Sequence, residues 1–408
     1  MYTQQIELEV QISDKTIAMG LIKPTYKIIK PTRNGNFNNQ WDSCLQQILA
    51  LSVDADVSPI RVNIFVYSEN QADYLQKQAV VKSTFKETLG DQCPPFGVVM
   101  QEPEDPYMVI CEVGLVENHS AKVIYGFFHE IPYCIVDSVN YKEYWTIGAQ
   151  SVHPNLNISA SSEAAFAYLN DLYQHLGLNL NNIARQWNYV GEILSKEVVN
   201  DRQRQHYQMF NEVRSKYYGQ YRTRKDFPAA TGIGMLYMGV CIDSFAVSGN
   251  ENLKIVAISN PEQSESYCYG QEVLVGAPDT SRKQNQPPQF ERAKLLVLNS
   301  ASRLIVSGTA SIIGQKTIGI DNVEEQTRIT IENIQRLSSA ENLMKHCPDI
   351  KSMPVNYSYI RVYVKYKDDI SKVRQICRAF FGDVPSTYVV ADICRDDLLV
   401  EIETELIS

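Results

Sequence analysis

Two stretches of the chain hold residue types that could do chemistry. An apolar run, Leu304-Ile305-Val306, leads into Ser307-Gly308-Thr309-Ala310-Ser311, small hydroxyl residues and glycine that let backbone come close to a ligand. Near the end, LLVEIETELI (Leu398–Ile407) alternates with period two, so Leu399, Glu401, Glu403 and Glu405 share one face and Leu398, Val400 and Ile402 the other. Such a row of carboxylates is either a solvated face of a terminal strand or the lining of a pocket. In a pocket, burial raises a carboxyl pKa and lets it hold a proton for general acid catalysis. Composition alone favours the solvated face.

These residues need elements to carry them. Asp321-Asn322 offers a helix N-cap, and Val323, Thr327, Ile331, Ile334 and Leu337 recur at three- and four-residue steps, which predicts an amphipathic helix after the small-residue mouth. Upstream, Ile6, Leu8, Val10 and Ile12 alternate as a strand. A helix is expected near 41–51, a strand near 60–67, a helix near 71–89 and strands near 96–101 and 108–116. Strands near 122–128, 133–137 and 144–147 follow. Ser161-Ser162-Glu163 is expected to cap a helix over 164–176, followed by a strand at 183–190, a helix at 206–218 and two strands within 230–247. A helix followed by an Arg/Asn-containing strand recurs at Leu45–Tyr67, Phe166–Tyr189 and Thr330–Tyr366. That recurrence implies three α+β modules of roughly 120–150 residues, at 1–117, 118–250 and 251–408. The polar stretch Gly276–Pro288 cannot form a core and reads as a surface loop or lid.

Composition narrows the function classes. The 408 residues carry a net charge of −9, which argues against nonspecific nucleic-acid binding. Between Asp201 and Asp226 the sign reverses, with Arg202, Arg204, Arg214, Lys216, Arg222, Arg224 and Lys225 against Asp201, Glu212 and Asp226, a pattern suited to a small anion. Nine cysteines without CxxC spacing read as reduced thiols of a cytoplasmic protein. No apolar run approaches the ~18 residues of a membrane span, and MYTQQIELEV has no basic segment followed by an apolar core. Gly232-Ile-Gly234 with Gly239 does not match GxGxxG. His129-Glu130 lacks a second histidine at metal spacing, so no metal and no cofactor are implied.

SGTASIIG with the helix after it, and ICRDDLLVEIE, resemble the RidA/YjgF fold and, more specifically, the chorismatases, which release pyruvate from chorismate. Further matching segments are RQWNY at 185–189, Tyr207 with Phe210, FPAATGIG at 227–234 and PQFERA at 288–293. The resemblance runs in order over about residues 180–405. It implies α+β RidA-like modules, of the chorismate mutase-like class with mixed sheets packed against helices, arranged as an internal pseudo-trimer with clefts between modules. The protein would be a monomer of that kind or a homo-oligomer.

The resemblance also implies roles. Glu401, the first glutamate of EIE, would protonate the enolpyruvyl methylene. Arg292, Arg395 and Arg214 would hold the two substrate carboxylates, with surface or intramodule ion pairs as the alternative. Valine precedes Arg214 where related enzymes carry glycine. Arg222 and Arg224 lack such support and read as surface charges. Tyr207, Tyr267 and Tyr269 would hydrogen-bond the ring hydroxyl or carboxylates, or else belong to the core. Thr231, Gly232, Ser307, Gly308, Thr309 and Ala310 would form the wall, with backbone amides offering anion contacts, and Val390 with Ala310 would influence product choice. The implied activity is conversion of chorismate to a hydroxybenzoate, 3-hydroxybenzoate favoured, or a dihydroxycyclohexadiene carboxylate. The alternatives are a non-catalytic small-anion-binding scaffold and an imine deaminase; Ser386 stands where the deaminases carry a carboxylate-holding arginine.

Overall fold

The structure, a computed structural model, describes residues 20–151, 156–222 and 226–408. The alternation at Ile6–Ile12 and the charges Arg224 and Lys225 lie outside the described residues. The first part of the chain forms β1 (Thr25–Ile29), α1 (Phe37–Ser52), β2 (Val57–Val66), α2 (Gln71–Leu89), β3 (Phe96–Val99), a two-residue β4 (Glu102–Pro103) and β5 (Val109–Glu117). Next come β6 (Lys122–Phe128), β7 (Ile131–Asp137), β8 (Tyr141–Ser151), α3 (Ile158–His175), β9 (Ile183–Gly191), the hairpin β10 (Lys196–Val199) and β11 (Arg202–Gln205), α4 (His206–Tyr218), β12 (Ala229–Met235) and β13 (Val240–Gly249). The last part comprises β14 (Leu253–Ile258), β15 (Ala293–Leu298), β16 (Ala301–Ala310), the short pair β17 (Ile312–Ile313) and β18 (Lys316–Thr317), α5 (Val323–Ser338), α6 (Ala340–His346), β19 (Asn356–Val364), α7 (Ile370–Phe381), β20 (Ser386–Val390) and β21 (Val400–Ile407).

The result is a mixed α+β fold with three principal sheets, ordered β1-β5-β2-β3, β12-β9-β13-β8-β7-β6 and β14-β15-β16-β21-β19-β20-β4. Each contains a parallel pair, β2/β3, β9/β12 or β19/β20. In each, a later strand, β5, β13 or β21, inserts antiparallel between that pair and an earlier strand. Helices pack on one face of each sheet: α1 and α2 on the first, α3 and α4 on the second, α5 and α7 on the third. The opposite faces meet in a shared core around Phe65, Trp145, Trp187, Leu296, Ile305 and Tyr363.

That shared core also holds charges. Glu112 pairs with Arg61 at 2.6 Å and Arg361 at 2.7 Å, while Glu403 pairs with Arg185 at 2.8 Å and Arg361 at 3.2 Å. Arg303 bridges Glu143 and Glu405, each at 2.8 Å. Arg61, Arg185 and Arg361 are thus the arginines of the three recurring helix–strand segments, and they lie inside.

Three sequence expectations change here. The carboxylates of β21 are not a solvated face: Glu401, Glu403 and Glu405 are 4, 0 and 3% exposed. The strand is last in sequence but central in its sheet, covered on both sides by β16 and β19. Helix α3 begins earlier than expected, capped by Asn157, whose side chain accepts from Ala160 N at 2.9 Å. Ser162 instead bonds back to Ile158 O at 2.6 Å, the habit of a serine inside a helix. Arg222 is no surface charge; its guanidinium donates to the carbonyls of Leu180, Ile183 and Asp226. No helix of the described residues is long and apolar enough to cross a membrane.

Candidate functional site

Glu401 is positioned by strand pairing, opposite Ala310 on β16 and Tyr363 on β19. Its carboxyl lines a cleft bounded by α4 and β12 on one side and by β16 and β21 on the other. Burial pushes its pKa up to about 8, the neighbouring Glu403 adds to the rise, and Arg185 and Arg292 oppose it. Among the described residues its carboxyl has no hydrogen-bond partner, so a proton it holds is free to be given away. Gly308 makes room for it: a Cβ there would stand 1.9 Å from Glu401 Oε1. The small-residue mouth is therefore required by the carboxyl opposite it.

Two arginines face the same cleft. Arg292, buried, donates to the hydroxyl of Tyr269 at 2.7 Å and to the carbonyl of Ser264, while its Nε has no partner. Arg395 donates to Gln315 O at 2.7 Å and keeps Nη2 buried without a partner. The Tyr269 ring lies beneath both guanidinium groups, 5.7 Å from one and 5.0 Å from the other. Arg61, Arg185, Arg204, Arg214 and Arg303 also keep a guanidinium nitrogen without an acceptor; what sets Arg292 and Arg395 apart is that they line the cleft beside Glu401, where a ligand can bring its own carboxylate oxygens.

Of the other expected site residues, Tyr207, Gly232 and Ala310 line the cleft, the Tyr207 ring lying against Gly232, where a Cβ would meet it at 2.9 Å. Arg214 stands one layer back; it donates to Asn211 Oδ1 at 2.6 Å and holds the Tyr207 hydroxyl. Thr231, Ser307 and Thr309 lie behind the wall. Their neighbourhood does not offer amides to an anion: Gly308 N donates to Thr231 Oγ1 at 3.0 Å, and Ala230 N to Ser307 Oγ at 2.9 Å. Those amides are used because β12, the edge strand of its sheet, packs against β16 where its pairing with β21 is interrupted between Val306 and Thr309, without forming a ladder. Thr231 Oγ1 also contacts Arg185 and Glu403, both at 2.6 Å. Tyr267 packs tilted against Phe227, ring centroids 5.3 Å apart, outside the lining. Val390 lies on β20, opposite Val364 and Glu102, and does not reach the cleft.

The described basic residues of 201–222 do not converge on a ligand either. Arg204 is held by Glu212 and by Asp279 at 3.5 Å, and Lys216 by Glu163 at 2.8 Å. Alternating positions on a hairpin and turns of a helix point these charges apart.

Several lining residues carried no sequence signal of their own. Asn211 could have been found as the i+4 neighbour of Tyr207, with Arg214 at i+7 on the same helix face. Cys394, beside Arg395, is a thiol whose pKa burial pushes up to about 12, so it shapes the wall without charge. Val273, Leu274 and Val275 reach the cleft because the following segment folds down: Ala277 N donates to Gln203 O at 2.8 Å, and Asn285 Nδ2 to Gly276 O at 2.8 Å. The polar stretch expected as loop or lid is tied over α4 and β11.

Comparisons with known proteins agree on one family. Residues 136–246 match a family model described as "Chorismatase FkbO/Hyg5-like, N-terminal". The chain is 32% identical over 261 residues to a 3-hydroxybenzoate synthase of Streptomyces hygroscopicus, covering 62% of this chain and 72% of that protein. A chorismatase of Streptomyces rapamycinicus is 35% identical over 179 residues, 43% of this chain and 50% of the relative. A crystal structure of a chorismatase superposes with a TM-score of 0.67 at 22% identity, covering 95% of this chain and all of that one.

Proposed function

The chain belongs to the chorismatase family, and from that premise we propose that it releases pyruvate from chorismate to yield a hydroxybenzoate, with 3-hydroxybenzoate the favoured product. The observation that carries this reading is a buried Glu401, its pKa pushed up to about 8 by that burial, facing the same cleft as two arginines with unused donors. Arg292 and Arg395 take the two substrate carboxylates, with Tyr269 keeping their planes apart. Glu401 gives its proton to the terminal methylene of the enolpyruvyl group, and the adjacent ether carbon becomes oxocarbenium-like. The carboxylate left on Glu401 is then partly offset by the fields of Arg185 and Arg292.

Water adds to the oxocarbenium carbon and returns a proton to Glu401, the hemiketal collapses with its hydroxyl proton passing to the ring oxygen as the carbon–ring oxygen bond breaks, and pyruvate leaves. Loss of water from the ring gives the aromatic acid. No electrons enter or leave in that sequence, and the side chains described suffice for it. The modules 1–117, 118–250 and 251–408 would form a RidA-like pseudo-trimer in one chain, supported by the strand order common to the three sheets, with this cleft between the second and third modules.

The test is incubation with chorismate, with pyruvate and the ring product both identified. Pyruvate release that falls by about 10²–10⁴-fold in Glu401→Gln supports the reading. No pyruvate above background, or an equal rate in the variant, would remove it.

A further inference from the structure

A second cleft is built from elements in the same order as the first. Helix α2 contributes Lys82 and Lys86 where α4 contributes Tyr207 and Asn211, and β3 contributes Phe96 and Val98 where β12 contributes Ala230 and Gly232. Strand β8 contributes Gly148 and Gln150 where β16 contributes Gly308 and Ala310. Register makes the correspondence concrete: Gln150 pairs with Cys241 on β13, as Ala310 pairs with Glu401 on β21. Gly148, like Gly308, sits where a Cβ would collide, here with Phe96 O at 2.6 Å.

The acid has been replaced. Cys241 is a buried thiol, and Gln150 fills the base of the cleft, donating to Val98 O at 2.7 Å and accepting from Gln78 at 2.5 Å. What remains open has apolar side chains and a charged rim. Phe96, Ile131 and Pro132 supply the apolar side chains, and Phe127 is 37% exposed beside them. Lys82 and Lys86, one helical turn apart and both exposed, are without an ion pair among the described residues; Lys82 Nζ only donates to Gln78 Oε1 at 3.3 Å. Asp91, Glu130 and His129 complete the rim.

We propose that this cleft binds a small cyclic carboxylate without turning it over, the ring on Phe96, Phe127 and Pro132 and the carboxylate on Lys82 and Lys86. Apolar side chains beside two cations favour an aromatic acid over inorganic phosphate, which would leave those side chains exposed. That this is also the class of the ring product rests on the proposed function; the binding itself does not.

Equilibrium dialysis with radiolabelled benzoate counts the sites per chain. Two are expected in the unmodified protein, one of them weakened at least tenfold in Lys82→Glu/Lys86→Glu, while release of pyruvate from chorismate is unchanged. Methyl resonances of Val98 and Ile131 shift on titration of the unmodified protein, a readout that holds even if the double variant folds poorly. A single site that Arg292→Ala abolishes, two sites indifferent to the lysines, or unmoved Val98 and Ile131 methyls would overturn the proposal. If chorismate is not turned over yet the lysine-dependent site persists, the second cleft stands and the lyase reading falls.

Discussion

Glu401 owes its protonation to its surroundings. A general acid with a pKa of about 8 is in its working form at neutrality, so pyruvate release is expected to be flat below that value and to fall tenfold per pH unit above it. A pH–rate profile measures this; a limb near the ordinary carboxylate range of about 4 would contradict it. The same shift has a stability consequence of definite sign. Because the folded state keeps the proton longer than the unfolded state, stability is highest below the ordinary carboxylate pKa and declines as pH rises towards 8, by at most about 1.4 kcal/mol per pH unit. Glu401→Gln removes that decline, so its melting temperature should gain on the parent protein as pH rises while its activity is lost. Gly308→Ala is expected to abolish turnover and to cost about 1–3 kcal/mol, since the added methyl meets the carboxyl at 1.9 Å. Denaturation and kinetics on one preparation check both.

At the scale of elements, β21 and α4 do the positioning. β21 brings Glu401 to the cleft and Glu403 to the ionic core from one strand face, a two-residue step separating a carboxyl that reacts from one that anchors. α4 presents Tyr207 and Asn211 to the cleft and braces them from behind with Arg214. Helix α3 lies away from the cleft lining and gives a clean test of the local reading. Asn157→Ala removes the observed cap and should cost about 1 kcal/mol with kinetics unchanged. Ser161→Ala should be neutral or stabilising, because Ser161 Oγ is buried without a partner. Equal losses from both, measured by urea unfolding, would restore the cap to the serine cluster.

Across the whole molecule, the three sheets are joined by apolar packing and by the buried arginine–glutamate network. Arg361 is its hub, reaching Glu112 on the first sheet, Glu403 on its own and Tyr189 on the second. Burial alone would push Glu112 up, but Arg361 and Arg61 together hold its pKa below the ordinary value. That contribution is present above the ordinary carboxylate pKa and is lost as pH falls through the folded one. Arg361→Met leaves two carboxylates without their shared cation and is expected to destabilise the fold by about 3–5 kcal/mol. A change of under 1 kcal/mol in urea unfolding would mean that the network is not what joins the sheets.

Period and capping residues in the sequence determined most elements, including α2, α4 and the Asn322-capped α5, because those signals are local. They also marked Glu401, Arg292, Arg395, Tyr207, Tyr269 and Gly308, through the resemblance those segments carry. Local signals could not say which strand ends up in the middle of a sheet, so the fate of the β21 carboxylates, solvated or buried, was decided by the insertion of β21 between β16 and β19. Tertiary packing also spent the Ala230 and Gly308 amides on contacts between sheets, turned Tyr267 and Val390 away, and drew the basic residues of 201–222 apart. Which face a residue shows is a property of its strand or helix; what that face meets depends on parts of the chain more than a hundred residues away.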